Sequence, residues 1–292
     1  LLVTSAAGYA AWSRFGASVA TTIGQPPPAS TDAAPPPGAV VTTLPPGTRL
    51  AMNDGQAGRP DAVPPALAGN RFFEDLAPHE VERNRWYPLL NREPEELLWP
   101  GTDLSSHHVD PGSRRLNVST ESTALLALGE TDSKNYTLQI DIHQNLWRGG
   151  VGVFLGYRKV EGSESPRWRF QRIVLGRRAG AGAKQYPFQL VRSHETLFID
   201  GAGRIDIASV STNGEFLGPL ANTSQQLEVV VRRGRLSRVR WGGRDLPQLL
   251  EDQTAQDPEG LDYLGKFGVY HMLSDSTVLN ARIRIDSGQQ VN

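Results

Sequence analysis

"LEVVVRRGRLSRVRWGGRDLP", residues 227–247, decides the fold, because two readings compete for it. Its six arginines suit a stripe that grips phosphates, while its alternation of apolar and polar residues suits a β-hairpin. Periodicity separates the two. Leu227, Val229 and Val231 alternate with Glu228 and Val230, and Ser237, Val239 and Trp241 alternate with Leu236, Arg238 and Arg240. Gly234 stands where a tight reversal is needed, and Gly242 with Gly243 turns the chain again. The arginines then fall at the turn and on the face opposite Val239 and Trp241, the wetted side of a meander, where edge charge also discourages aggregation. The whole chain agrees: 30 Lys+Arg stand against 31 Asp+Glu, a net charge of -1, whereas a dedicated nucleic-acid domain is strongly basic.

The same period of two recurs outward from this hairpin. In "YTLQIDIHQ" (136–144) Leu138, Ile140 and Ile142 alternate with Gln139, Asp141 and His143; in "VGVFLGYRK" (151–159) Val151, Val153, Leu155 and Tyr157 share a side. Further short runs, among them "RWRFQRIVLG", "TLFIDG", "RIDIASV" and "TVLNARIRID", are separated by Gly, Asn, Asp, Ser and Pro. This spacing predicts an all-β fold, an antiparallel jelly-roll β-sandwich with a few short helices, with Trp168 and Trp241 in its core. The chain has 292 residues, enough for a sizeable core, and no cysteine, so packing alone must stabilise it.

Four segments in order, "YTLQIDIHQNLWRGGVGVFLGYR", "FQRIVLGRR", "QLEVVVRRGRLSRVRWGGRDLP" and "GKFGVYHMLSDSTVLNARIRI", resemble the concanavalin A-like, laminin G-like sandwich of bacterial 3-keto-disaccharide hydrolase-like domains. The resemblance spans roughly residues 100–286 and lies in pattern more than identity. It implies a hydrolase or lyase of 3-keto sugars. Two departures stand against that activity: "RGGVGVFLGYR" lacks the family's Asn-Ser before its aromatic strand, and Phe170, Gln171 and Arg172 stand where the family often has an acidic residue.

Ahead of the sandwich, expected over 101–287, the composition shifts three times. Residues 1–23 are small and apolar but interrupted by Arg14, and read as the trailing end of a membrane-spanning or leader segment. Residues 24–69 are rich in Pro, Ala and Gly without apolar period, and read as a disordered, semi-stiff linker. Residues 70–100 carry aromatics and acid-base spacing that suggest one or two short helices broken by Pro88 and Pro94. A tether and stalk imply a module displayed on the extracytoplasmic side of a bacterial envelope, part of a larger membrane-anchored protein.

Candidate chemistry is sparse. Glycoside hydrolysis needs two facing carboxylates, yet Asp141, Glu195, Asp200 and Asp206 read as outward-facing, and no catalytic residue is expected. "SSHHVDPG" (105–112) groups two histidines with Asp110, but neighbours on a strand point to opposite faces, so no metal site is expected. His143, His194 and His271 read as hydrogen-bonded strand residues. "GGVGVFLG" lacks the dinucleotide spacing, and Lys184 in "GRRAGAGAKQ" precedes Gln185 where a phosphate loop needs Ser or Thr, so no cofactor is expected. "IDGAGRID" offers Asp200 and Asp206, too few oxygens for calcium. The better lead is "NLWRGG", where Trp147 can stack on a sugar face while Arg148, Asn145 and Gln144 bond its hydroxyls. The expected partner is therefore a glycan or, second, a protein ligand.

Overall fold

The computed structural model describes residues 40–45, 47–51, 70–72, 81–146, 149–163, 165–177, 188–218, 223–250 and 263–287. Sixteen strands follow one another: β1 (Val40–Thr43), β2 (Arg49–Leu50), β3 (Asn70–Phe72), β4 (Trp86–Pro88), β5 (Glu95–Trp99), β6 (Ser106–Asp110), β7 (Arg115–Thr131) and β8 (Tyr136–Leu146), then β9 (Gly150–Lys159), β10 (Arg167–Arg177), β11 (Phe188–Ile199), β12 (Ile205–Gly218), β13 (Gln225–Arg232), β14 (Arg235–Trp241), β15 (Arg244–Asp245) and β16 (Gly265–Ile285). Every pairing is antiparallel.

Two long strands make one sheet into two layers. The first half of β16, Gly265–Met272, lies between β9 and the end of β7; the second half lies beside β8, the start of β7, and β4. The changeover is at Leu273, whose φ of 46° breaks the extended run between the paired residues Met272 and Ser274. Layer one therefore runs β1-β12-β11-β10-β9-β16-β7-β5-β2, and layer two runs β15-β14-β13-β8-β16-β7-β6. Between them packs the main core, with Val151, Val153, Ile173 and Leu175 from layer one and Leu138, Ile140, Val229 and Ile283 from layer two. This is the all-β antiparallel sandwich that the period of two predicts.

The hairpin at 227–247 also forms, with one change of face. Arg233 and Gly234 both have positive φ, 53° and 72°, as a two-residue type I′ turn requires. A register shift between Val230 and Val231 then buries Leu236 and leaves Ser237 exposed, the reverse of strict alternation. Four of the six arginines meet carboxylates: Arg232 with Asp286 at 2.7 Å, Arg238 with Glu228 at 3.0 Å, Arg240 with Asp245 at 3.3 Å and Arg244 with Glu215 at 2.5 Å. Most of the basic run is thus paired within its own sandwich.

The lead-in differs from expectation. Among the described residues the only helical element is a 3-10 turn, Pro247–Leu250, and the stretch expected to hold short helices supplies β3, β4 and β5 instead. In "EELLW" the acidic and apolar residues mimic a helical spacing. A register shift between Glu96 and Leu98 lets Leu97 and Leu98 bury together on a strand. Part of the proline-rich segment is likewise strand: the β-branched run Val40–Thr43 pairs with Asp206–Ser209, and Leu44 is buried. Residues 1–39, 46 and 52–69, which include the expected membrane segment and most of the linker, lie outside the described residues. No helix among the described residues is long and apolar enough to cross a membrane.

β1 and β2 show that layer one is curled. β1 sits on the β12 edge and β2 on the β5 edge. Flat, the eight strand spacings between them would span about 38 Å. The six steps from Thr43 to Arg49 reach only about 21 Å when fully extended. The edges must approach one another, and the inner face of the curl carries a second core containing Leu44, Leu98, Phe154, Trp168, Phe170 and Ile207. Tight curvature needs small residues where strands press together. A Cβ on Gly268 would come within 2.0 Å of the Leu126 carbonyl oxygen and 2.8 Å of the Ala127 Cα, both backbone atoms. Gly268→Ala is therefore expected to cost about 1–3 kcal/mol, as overpacking does, read as a lower midpoint in urea.

Candidate functional site: a trough on the inner face

Strand register assigns each side chain of β9 to β12 to one of the two faces of layer one. Arg172 pairs with Phe154 on one side and Ser193 on the other; Phe170 pairs with Glu195, which pairs with Ser209. All share a face with Phe170 and Leu197, so they belong to the inside of the curl. Toward the far ends of the strands this face becomes low. Gly152, Val174, Val191 and Gly214 form one row across it, and Gly150, Gly176, Gln189 and Phe216 the next. Four of these eight positions are glycine, so the face carries few side chains there; Gly150, Gly152 and Gly176 are buried, and a Cβ on Gly152 would come within 2.0 Å of the Ile173 carbonyl oxygen. Tyr270 and Met272 bound the trough on the β16 side.

Arg172 and Glu195 form its polar floor. Glu195 is 1% exposed. Its Oε1 accepts hydrogen bonds from the hydroxyls of Ser193 and Ser209, both at 2.7 Å, and lies 2.7 Å from Arg172 Nε. Arg172 Nη1 donates to the Tyr270 hydroxyl at 2.5 Å and Nη2 to Ser209 Oγ at 3.3 Å, with the guanidinium 4.9 Å from the Tyr270 ring centre. Glu195 Oε2 is buried and without a hydrogen-bond partner among the described residues. Burial pushes the Glu195 carboxyl above its ordinary range, and Arg172 with the two serines pulls it back without cancelling the effect. Burial would lower the Arg172 guanidinium, but Glu195 and then Tyr270 hold it above its usual value.

The trough opens toward β12. The Arg172 side chain keeps 12% of its surface exposed, Gln189, Val191 and Met272 are half-buried, and Gly214 is exposed. Phe216 is 46% exposed; the other large apolar side chains left exposed among the described residues are Val41 and Leu104, so Phe216 is the one aromatic platform of this kind. Glu195 is the only carboxylate in this cluster of described residues, which gives the trough one acid rather than a facing pair.

Of the residues expected to bind ligand, Asn145 and Gln144 are described, and they lie on β8, away from the trough. Asn145 donates to Asp275 Oδ1 at 2.9 Å and to Thr277 Oγ1 at 3.3 Å, and Gln144 Nε2 donates to Ser274 Oγ; both tie β8 to β16. Trp147 and Arg148 lie outside the described residues. The outward reading of Glu195 is wrong, because β11 is covered on both faces: its even positions face the main core and its odd ones the curl. Asp206 is buried too, whereas Asp200 closes the turn before β12 through Arg204. Asp141, half-buried, accepts from Gln226 and Asn280.

Four of the described histidines are held by hydrogen bonds within the sandwich. His194 is bonded by Gln171, and His271 lies between Thr120 and Ser276. His107 lies between Glu93 and Glu96 at 3.3 and 2.9 Å, and the exposed His108 meets the other oxygen of Glu93 at 3.0 Å. Among the described residues no group of three or more His, Asp or Glu is arranged to hold a metal ion.

No protein-family model and no curated protein matches the chain. Solved structures do. One is a protein of unknown function with a galectin-like fold from Bacillus subtilis, at 10% identity and a TM-score of 0.47, covering 70% of this chain and 97% of that one. Another is a beta-porphyranase from the human gut bacterium Bacteroides plebeius, at 8% identity and a TM-score of 0.31, covering 87% of this chain and 96% of that one. The fold itself rests on the strand pairing described above.

Proposed function

We propose that this chain is a carbohydrate-binding β-sandwich module that holds its ligand in the inner-face trough. One observation carries the reading: an exposed aromatic residue, Phe216, lies two rows from Arg172 on the same glycine-rich face, and the Arg172 side chain is 12% exposed, so an oligosaccharide stacked on the ring can extend toward fixed hydrogen-bond donors. A sugar ring offers the matching surfaces. The proline-rich composition of residues 24–69 supports display on the extracytoplasmic side of a membrane-anchored bacterial protein, and a protein ligand is the other occupant such a module takes.

The test is titration calorimetry of the described chain against oligosaccharides. Phe216→Ala is expected to weaken binding about tenfold through lost stacking. Binding unchanged by that substitution would remove the trough from consideration.

A second reading, hydrolysis or elimination on 3-keto glycosides, draws on Glu195, a buried carboxyl set 2.7 Å from Arg172 Nε, which also donates to the Tyr270 hydroxyl through Nη1. Incubation with a 3-keto glycoside tests it. Product release abolished by Glu195→Gln supports the enzyme, and absence of turnover in the wild type removes it.

A further inference from the structure

Resting on the trough as the ligand site, we propose that the carbohydrate it accepts is uncharged, and that Glu195 enforces this by cancelling the charge of Arg172. Arginine on a ligand-binding face ordinarily attracts carboxylates and sulfates. Here that attraction is already spent. Arg172 Nε lies 2.7 Å from Glu195 Oε1, and the same oxygen accepts two serine hydroxyls, three donors that together suit an ionised carboxylate. Guanidinium and carboxylate sum to zero at the floor of the trough, and the described rows above it, from Gly152 to Gly214 and from Gly150 to Phe216, contribute no charged side chain.

What remains is directional hydrogen bonding. A guanidinium has five N–H bonds. Three of those on Arg172 are engaged by the described residues, Nε with Ser193 and Glu195, Nη1 with Tyr270 and Nη2 with Ser209, so one N–H on each Nη is left to donate. Two neighbouring donors suit the lone pairs of adjacent sugar hydroxyls. An anionic sugar placed there would meet the fixed negative charge of Glu195 as well as the cation, with no net attraction to offset the loss of its own hydration.

The experiment compares neutral gluco-, galacto-, manno- and xylo-oligosaccharides with oligogalacturonate and sulfated galacto-oligosaccharides of matched length. The wild type is expected to bind a neutral member at least about tenfold more tightly than any anionic one. Its affinity should change less than about twofold between roughly 50 and 500 mM sodium chloride, since a neutral site has little field to screen. Glu195→Gln keeps the shape and removes the negative charge; it is expected to raise affinity for the anionic oligosaccharides about tenfold and to make that binding salt-sensitive. Should the Gln variant fail to fold, the wild-type salt dependence decides alone.

A wild type that prefers anionic oligosaccharides with strong salt dependence overturns the charge-cancelling role and leaves the module a glycan binder. A wild type that binds no oligosaccharide in either set overturns the proposed function itself.

Discussion

Arg172→Met is expected to lower the stability of the sandwich by about 3–5 kcal/mol, the cost of leaving a buried carboxylate without its cation. The figure applies because both partners are withdrawn from water: the side chains of Arg172 and Glu195 are 12% and 0% exposed. Removing Arg172 also takes donors from the Tyr270 and Ser209 hydroxyls. The companion variant Arg172→Met with Glu195→Leu removes both charges and is expected to recover most of the loss, since well-packed apolar replacements of a buried pair are often near neutral. Urea unfolding of the wild type, both single variants and the double variant gives the coupling directly. A single-variant loss below about 1 kcal/mol would mean that the pair is solvated like a surface bridge.

The sandwich is also expected to weaken in acid through one imidazole. His271 is 0% exposed, with Nδ1 2.8 Å from Thr120 Oγ1 and Nε2 2.9 Å from Ser276 Oγ. Two hydroxyls can serve a neutral ring, one accepting and one donating. Burial pushes its pKa down from 6.5 to about 3. Between those values the unfolded chain binds a proton that the folded chain refuses, so stability rises with pH across this window. The contribution is complete above about pH 6.5 and is lost progressively as the pH falls toward 3, by up to about 5 kcal/mol in all. Urea midpoints from pH 7 to pH 4, compared with those of His271→Gln, isolate this part from the carboxylates that titrate nearby. Parallel slopes for the two proteins would show that His271 is not its source.

The sandwich was legible in the sequence because a strand covered on one face must alternate, and the runs at 136–144 and 227–241 do so. The trough was not, and its concealment has a physical cause. Layer one is covered on both faces, so β10 and β11 present buried residues at even and odd positions alike, and alternation no longer tells core from site. Arg172 and Glu195 are 23 positions apart in the chain and meet only through the register of β10 on β11. One signal was available. Phe170-Gln171-Arg172 placed an arginine just before the apolar run Ile173-Val174-Leu175, where the resembling family often has an acid, and a buried position that tolerates charge implies a partner. Asn145 and Gln144, read as ligand donors, hold β8 to β16, because polar residues beside a turn are equally suited to tying two strands together.

The short strands before residue 100 were hidden for a different reason. β3 to β5 are three to five residues long, too short for either period to show, and they owe their conformation to the edges of β7 and β16.

β16 is the shared seam of both layers. A ribosome delivers it only after β1 to β15 have emerged, so neither layer can close before it arrives. β7, β8 and β9 wait with open edges for a neighbour still to be made. Closure of the sandwich is therefore concerted rather than progressive from β1 onward, with the slow kinetics that distant pairings impose. Shortening β16 would cost the assembly of both layers at once.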